Sequence, residues 1–435
     1  MLELLDLRER RERLEPRRLE PDPSVEAAVR DVLRRVREEG DAALLELTRR
    51  FDGVDLSERG IVVPPEELRE AEEAVPAGLR EALDALVERL RDLHARQLPR
   101  EWWEERDGLR FGEVVRPVRA VGCYVPGGRA VYPSSVAMTV VPAAVAGVEE
   151  IVVCTPPTAD GGVHAPVLYA ARRAGATTVA RVGGAQAIAA LAHGTASVPA
   201  VDRIVGPGNA YVTEAKRQVA GTVGIDGLAG PTELVVVADA SADPALLACD
   251  LVAQAEHDPQ ALAFLVTTDP GLPGRVEAAL AAELAGAGRR EILDASLAQT
   301  RAVLVPDLAR AAEVVDDLAP EHLQVVVADP GAFLERVRNA GAIFLGPWSA
   351  VPFGDYGVAS NHVLPTAGTA RFASGLRAAD LVTVRSVVQL SAEAAARYAE
   401  EVATVARAEG LVGHARSALV RAEAARDAGE DGGVA

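Results

Sequence analysis

Lysine is almost absent from this chain: of 45 basic residues in 435, only Lys216 is a lysine. A phosphate loop of the G-x-x-x-x-G-K-[ST] kind is therefore excluded, because Lys216 stands between Ala215 and Arg217. A Schiff-base lysine, if one were used, would have that single candidate. Cysteine is nearly as scarce. Cys123, Cys154 and Cys249 lie far apart in apolar stretches, which matches neither a zinc ribbon nor a disulfide framework and fits a reducing compartment. No apolar run reaches the roughly 20 residues of a membrane-spanning helix; the most apolar stretch, Val136 to Val148, is too short and carries Pro142. The first 20 residues alternate acid and base without a signal-peptide core, so the expected location is cytoplasmic. Positive charge is also in deficit. Sixty-four acidic against 45 basic residues leave −19, which argues against nucleic acid and directs attention to small-molecule chemistry.

The length predicts about three domains, or two with appendages, and a chain this long buries roughly three quarters of its extended surface. Residues 1–20 read as a charged surface arm that needs a partner surface to be ordered. Pro23 and Ser24 open a helix with Val25, Ala28, Val29, Val32 and Val36 on one stripe and Gly40 as its stop. A second amphipathic run extends from Pro64 to about Gln97. Between Val121 and Ala200 only seven residues are charged, so both faces of those elements must be covered. Short β-rich runs then alternate with helical ones at 151–155, 178–182, 202–206, 233–239, 262–268, 302–306, 323–329 and 342–346. Such spacing predicts parallel α/β architecture. Two βα sets, 124–237 and 234–346, suggest two stacked doubly wound sheets with a cleft between them. After Arg371 the pattern is helical, over Ser391 to Arg407 and around His414 to Arg426, and the tail DAGEDGGVA reads as disordered.

Four of the seven histidines lie beyond residue 250 beside carboxylates or amides. In DLVAQAEHDPQA, Gln254 and His257 stand i, i+3 in the last turn of a helix that Pro259 must end, so both can face one way and hold a metal; a capped helix end has the same pattern. In LAPEHLQVVV, Glu321 and His322 precede a strand and offer two proton-transfer groups of different intrinsic pKa, or a solvated loop pair. The segment VPFGDYGVASNHVLPTAGTARFASGL presents Asp355 in a tight turn and Asn361-His362 in a polar loop too long to be mere connection. AEGLVGHARSALV offers Glu409 and His414 across a glycine turn. His94, His164 and His193 read as helix or loop residues, and Met138, Trp102, Trp103, Phe344 and Trp348 as core or interface. Three glycine segments, VGCYVPGGRAVYPSS, VGGAQAIAA and VGPGNAYV, follow apolar runs and precede helices. Their backbone N–H groups can meet a phosphate or carboxylate, or the glycines can simply relieve turn strain.

In order along the chain, YVPGG (124–128), YPSSV (132–136), VGGAQAIAALA (182–192), VGPGNAYV (205–212), GIDGLAGPTE (224–233), QAEHD (254–258), PEHLQ (320–324), GDY (354–356), NHVLPT (361–366), AEGL (408–411) and His414 resemble the histidinol dehydrogenase family over nearly the whole chain. The resemblance implies one zinc ion per subunit held by Gln254, His257, Asp355 and His414. It implies L-histidinol as substrate, bound by Thr232, Gln254, His257, Glu321, His322, Asp355, His362, Glu409 and His414. Glu321 and His322 are the implied catalytic pair, and Tyr124, Gln186 and Asn209 the contacts to the cosubstrate NAD. It further implies an intertwined homodimer in which His414 and Glu409 reach the partner's site, with no nucleic-acid or membrane partner. The implied reaction is a four-electron oxidation through the aldehyde to histidine, the last step of histidine biosynthesis. Thr232 replaces the family's usual serine and keeps its hydroxyl; Ser360 stands where threonine is usual.

The expected fold is α/β, with two stacked doubly wound, incomplete Rossmann-like domains. An arm covers 1–21. The first Rossmann-like domain covers 22–123 plus 238–376 and carries the metal and catalytic residues; the second covers 124–237 with the NAD contacts; a helical dimerisation segment covers 377–435. Competing readings are a relative that oxidises another small alcohol, a zinc hydrolase with Glu321 as base, and a non-catalytic binding protein. Cys123 and Cys154 suggest a thiohemiacetal route, but nothing nearby in sequence would lower a thiol pKa.

Overall fold

In the computed structural model the described residues are 2–20, 22–127 and 131–431. Gly128 of YVPGG and residues 432–435 of the tail lie outside them. The chain divides into two compact units, one of residues up to Gln97 with Val118–Leu381, the other of Leu98–Pro117 with Val382 onward. No helix among the described residues is long and apolar enough to cross a membrane.

The first unit holds two parallel sheets. In one, the order is Glu3–Asp6, Arg301–Leu304, Leu262–Thr267, Glu233–Ala238, His322–Val326, Ala342–Leu345. In the other it is Thr178–Ala180, Glu150–Cys154, Ala120–Tyr124, Arg203–Val205, Gly224–Ile225. Strands buried on both faces read as continuous apolar runs, and the central strands Ala120–Tyr124, Glu233–Ala238 and His322–Val326 are buried at every position. In the six-stranded sheet, alternate residues feed opposite cores. Val235, Val237, Leu323 and Val325 pack with the helix Leu308–Leu318, whereas Leu234, Val236 and Leu265 pack with Leu247 and Leu251 of the helix Pro244–Ala255. Both sheets are doubly wound: the chain crosses to the other side after Thr178–Ala180 and after Arg301–Leu304, leaving switch points between Ala120–Tyr124 and Arg203–Val205 and between Glu233–Ala238 and His322–Val326.

All eight runs read as strands are strands, and the first helix is Pro23–Glu39 with Gly40 at its C-cap. Several expectations are corrected. The arm is ordered against its own chain, where Glu3–Asp6 extends the six-stranded sheet and Leu7 is buried. The run from Pro64 to Gln97 breaks into Pro65–Ala74 and Ala77–Ala95, because Pro76 holds an extended backbone that a helix cannot continue through. Domain limits shift as well. Ala120–Tyr124 is already the middle strand of the five-stranded sheet, and Glu233–Ala238 belongs to the six-stranded one, so 124–237 cuts across both.

The second unit is an antiparallel sheet, Val382–Leu390, Leu109–Pro117, Trp102–Arg106, followed by the helices Ala392–Ala408 and Val412–Asp431. The 377–435 segment is therefore not helical throughout, and 98–117 leaves the first expected domain to supply two of the strands. Residues 427–431, read as disordered, continue the last helix. Trp102, Trp103 and Trp348 are exposed on the chain rather than in its core, whereas Met138 is fully buried.

Candidate active site

The six-stranded sheet gathers its polar side chains at the amino ends of its strands. Thr232 and Glu233 open one central strand, and Glu321 and His322 open its parallel neighbour, where His322 pairs with Leu234. The helix Pro244–Ala255, capped by Asp243 on the Ala245 N–H, runs antiparallel to the strands and delivers Gln254 in its last turn with His257 just beyond it. Asp355 ends the one-turn helix Val351–Asp355, where a simple turn was expected.

Glu321 and His322 are buried, at 7% and 4% exposure. Glu321 Oε2 accepts the Glu233 N–H at 3.0 Å, a backbone donor free because it lies at the strand's start. His322 stands between two carboxylates: Nδ1 is 3.6 Å from Glu321 Oε2 and Nε2 is 3.7 Å from Asp355 Oδ1. Neither ring nitrogen has a hydrogen-bond partner. These gaps are too long for hydrogen bonds, so the carboxylates act through charge. Burial alone would push the imidazole pKa down; the Glu321 charge and Asp355 outweigh it, and the net direction is up. Burial likewise acts upward on Asp355, but His322, His362 and His257 hold its carboxyl below the usual range. Phe344 lies tilted against the His322 ring at 6.1 Å between centroids.

The candidate metal donors fit zinc in kind. Gln254 is buried and its amide nitrogen donates to Thr232 Oγ1 at 3.0 Å, which leaves the carbonyl oxygen as the end for a cation. His257 Nε2 is 4.0 Å from Asp355 Oδ2, against the roughly 3.3 Å that separates two ligands on a tetrahedral zinc with bonds of about 2 Å. Amide oxygen, imidazole nitrogen and carboxylate oxygen are three donors of a four-donor set. Among the described residues, no three or more His, Cys, Asp or Glu side chains cluster to hold a metal on their own. Glu409 and His414 belong to the second unit, at the end of the helix Ala392–Ala408 and the start of Val412–Asp431.

His362 is fixed at both ends: one ring nitrogen meets the Asp355 carbonyl at 3.0 Å and the other the Ser135 hydroxyl at 3.2 Å. Burial pushes its pKa down. Its neighbour Asn361 donates to the Met138 carbonyl at 2.7 Å and lies 3.2 Å from His94 Nε2, so His94, discounted above, braces this loop from a fully buried position. Ser135 went unread in sequence because it sits in the apolar YPSSVAMTVV run. Glu233 was missed as part of a strand; the signal was a carboxylate opening an otherwise apolar ELVVVA. It is 6% exposed, one of its oxygens has no partner, and burial followed by the Glu321 charge pushes its pKa up to about 7.

The remaining candidates lie at the carboxyl edge of the five-stranded sheet, at its switch point. Tyr124 ends its middle strand, and its hydroxyl accepts the Gly184 N–H at 3.1 Å. Gln186 is buried in the first turn of the helix Gly184–His193. Asn209 caps the helix Ala210–Val219 by accepting from the Tyr211 and Val212 N–H groups. Burial pushes the Cys123 thiol up to about 12 and the Cys154 thiol up as well, so neither is a ready nucleophile.

Known proteins resemble this chain over most of its length. The family model described as histidinol dehydrogenase matches residues 15–422. The histidinol dehydrogenase of Symbiobacterium thermophilum is 49% identical over 412 residues, covering 94% of this chain and 93% of the relative. That of Moorella thermoacetica is 47% identical over 426 residues, covering 97% and 100%. The crystal structure of histidinol dehydrogenase from Elizabethkingia anophelis matches with a TM-score of 0.91 at 29% identity, over 97% of this chain and 98% of that one.

Proposed function

The chain belongs to the histidinol dehydrogenase family, and from that premise we propose that it oxidises L-histidinol through L-histidinal to L-histidine with two NAD as hydride acceptors. The observation that supports this most directly is the buried imidazole of His322, without a hydrogen-bond partner and flanked by Glu321 and Asp355. A base that must take a proton from an incoming hydroxyl needs an unengaged nitrogen, and burial excludes competing water.

In the first oxidation His322 takes the hydroxyl proton of the primary alcohol while a hydride leaves its carbon for NAD. In the second, His322 takes a proton from the water that adds to the aldehyde, helped by Glu321, and a second hydride leaves for a second NAD. Alcohol, one water and two NAD give carboxylate, two NADH and three protons. Glu321 is held for this by the Glu233 N–H. Thr232 and His362 contribute to the substrate pocket, with His362 fixed between the Asp355 carbonyl and Ser135. Gln254, His257 and Asp355, with His414 from a second copy of the chain, would hold a zinc ion, which when bound supplies orientation of the substrate's imidazole and amino nitrogens. Glu409 from the same copy would complete the pocket. Tyr124, Gln186 and Asn209 would contact NAD. A cytoplasmic site of action is part of the same reading, in keeping with the buried, unpaired Cys123 and Cys154.

The test is NADH formed per L-histidinol consumed, with zinc-saturated and chelated protein in parallel. Two NADH per substrate, lost on chelation and restored by zinc, is the expected result. One per substrate refutes the water-activating role of Glu321. None refutes the proposed substrate.

A further inference from the structure

The only lysine of the chain lies outside every group given a role above. Lys216, on the helix Ala210–Val219, is 2% exposed. Its Nζ donates to the Gly206 carbonyl at 2.6 Å and to Asp226 Oδ1 at 2.5 Å. Asp226 returns the grip: Oδ2 accepts the Gly206 N–H at 2.7 Å, and Oδ1 also accepts the Gly227 N–H at 2.8 Å. One buried ion pair thus holds both backbone polar groups of Gly206. That residue has φ +115°, and a Cβ on it would stand 2.1 Å from the Tyr124 carbonyl oxygen, so the loop is pressed against Tyr124.

Two segments leave this point. Residues 206–209 lead to Asn209. Residues 226–232 lead from Asp226 to Thr232, and are tied to the same helix by Thr213 Oγ1 on the Ala229 carbonyl at 2.8 Å and to the far loop by the Gly230 N–H on Thr366 Oγ1 at 2.6 Å. Thr232 in turn accepts from Gln254.

We propose that the buried Lys216–Asp226 pair is a latch that positions the 206–209 loop against Tyr124 for dinucleotide binding and ties it to the segment carrying Thr232. Lys216 is then a positioning residue, and its assignment rests on the NAD reading above. Its chemistry explains why this position is the one lysine in an arginine-rich chain. Two acceptors converging on one point in a closed space suit a compact ammonium, whereas a planar guanidinium fork is larger and presents its donors apart.

The experiment compares full-length, zinc-loaded wild type with Lys216→Met, Lys216→Arg and the double variant Lys216→Met/Asp226→Asn. Loss of a hydrogen bond to a charged group predicts a rise of about tenfold or more in KM for NAD and in Kd for NADH read by fluorescence. KM for L-histidinol should rise less than KM for NAD, because the 226–232 segment keeps its Thr213 and Thr366 hydrogen bonds, and kcat at saturating NAD should stay close to wild type. Lys216→Arg should not restore dinucleotide affinity. The double variant should regain the melting temperature lost by the single one, because it no longer leaves a buried carboxylate unpaired. It should keep the weak dinucleotide binding, because the Gly206 carbonyl still lacks its donor. A folded single or double variant with wild-type Kd for NADH overturns the latch, as does a loss confined to kcat. If neither variant folds, the pair is a folding element and the proposal is equally overturned. A second readout exploits the composition: isotope-labelled lysine gives one side-chain signal, expected to move on adding NAD and refuting the latch if it stays put at saturation. A wild type that makes no NADH from L-histidinol refutes the proposed function instead.

Discussion

Glu233→Gln should stabilise the protein above neutral pH and leave it nearly unchanged in mild acid. Glu233 is 6% exposed, one oxygen is unpartnered, and burial with the neighbouring Glu321 charge raises its pKa from the ordinary 4.5 to about 7. A carboxyl raised on folding adds stability below its unfolded pKa and loses it as pH rises through the folded value. The window is therefore about 4.5 to 7, and the wild type carries a growing penalty across it. With 1.36 kcal/mol per pKa unit, the penalty grows by about 3 kcal/mol between pH 4.5 and 8.5. For a chain of this length, at roughly 2.1 cal/mol/K of unfolding entropy per residue, that is about 3 °C in melting temperature. Glutamine can keep its carbonyl oxygen toward the Ala367 and Gly368 N–H groups that Glu233 faces, with no charge to desolvate. The assay is a pair of melting curves, variant and wild type, at half-unit pH steps, so that all other titrations cancel in the difference. A difference that stays flat from pH 4.5 to 8.5 would show that Glu233 is not buried as an uncompensated carboxyl.

His322→Asn and Glu321→Gln should remain folded and lose about 10²- to 10⁴-fold in turnover, the usual worth of a general base. With L-histidinal supplied directly, Glu321→Gln should still be impaired; wild-type rates on both alcohol and aldehyde would remove the role given to Glu321. Co-expressing a Gln254→Ala chain with a His414→Ala chain should restore up to about a quarter of the sites, since in a symmetric dimer of mixed chains one site of the two keeps both residues. No recovery would place His414 in the site of its own chain.

What could be read from the sequence follows from where partners lie. Eight of the eleven strands of the two parallel sheets were legible because burial on both faces leaves continuous apolar runs such as ELVVVA and HLQVV, whereas Ala120–Tyr124 and the two-residue Gly224–Ile225 were not read as strands. Glu3–Asp6 and Val382–Leu390 were not legible, since each is defined by a partner more than 260 residues away, Arg301–Leu304 and Leu109–Pro117 respectively. Polar residues at element ends or in loops, Glu321, His322, Asp355 and His362, announced themselves against an apolar background. Ser135 and Glu233 did not, because each sits inside a run whose periodicity already explained it. The edge of the sheet on which each group stands is also invisible in sequence, as it depends on connectivity.

That edge has a physical logic. In a parallel α/β sheet, helices begin where strands end and end where strands begin, so helix N-termini crowd the carboxyl edge and helix C-termini the amino edge. At the carboxyl edge of the five-stranded sheet, which Tyr124 ends, the helices Pro133–Ala146, Gly184–His193 and Ala210–Val219 begin, and helix N-termini carry the partial positive charge that suits the phosphates of a dinucleotide. At the amino edge of the six-stranded sheet, the helices ending at Ala255 and Leu318 bring their carbonyl ends to the edge that carries Gln254 and His322. Negative helix ends favour a cation and a protonated imidazole, while the free N–H at the start of a strand is left to hold the Glu321 carboxylate. The proposed placement of a metal and a proton acceptor on one sheet, with a dinucleotide on the other, is thus the division of labour that backbone dipoles alone would favour. Ser135 joins the two, since it stands in the first turn of the helix that begins at Pro133 and bonds His362 beside Asp355.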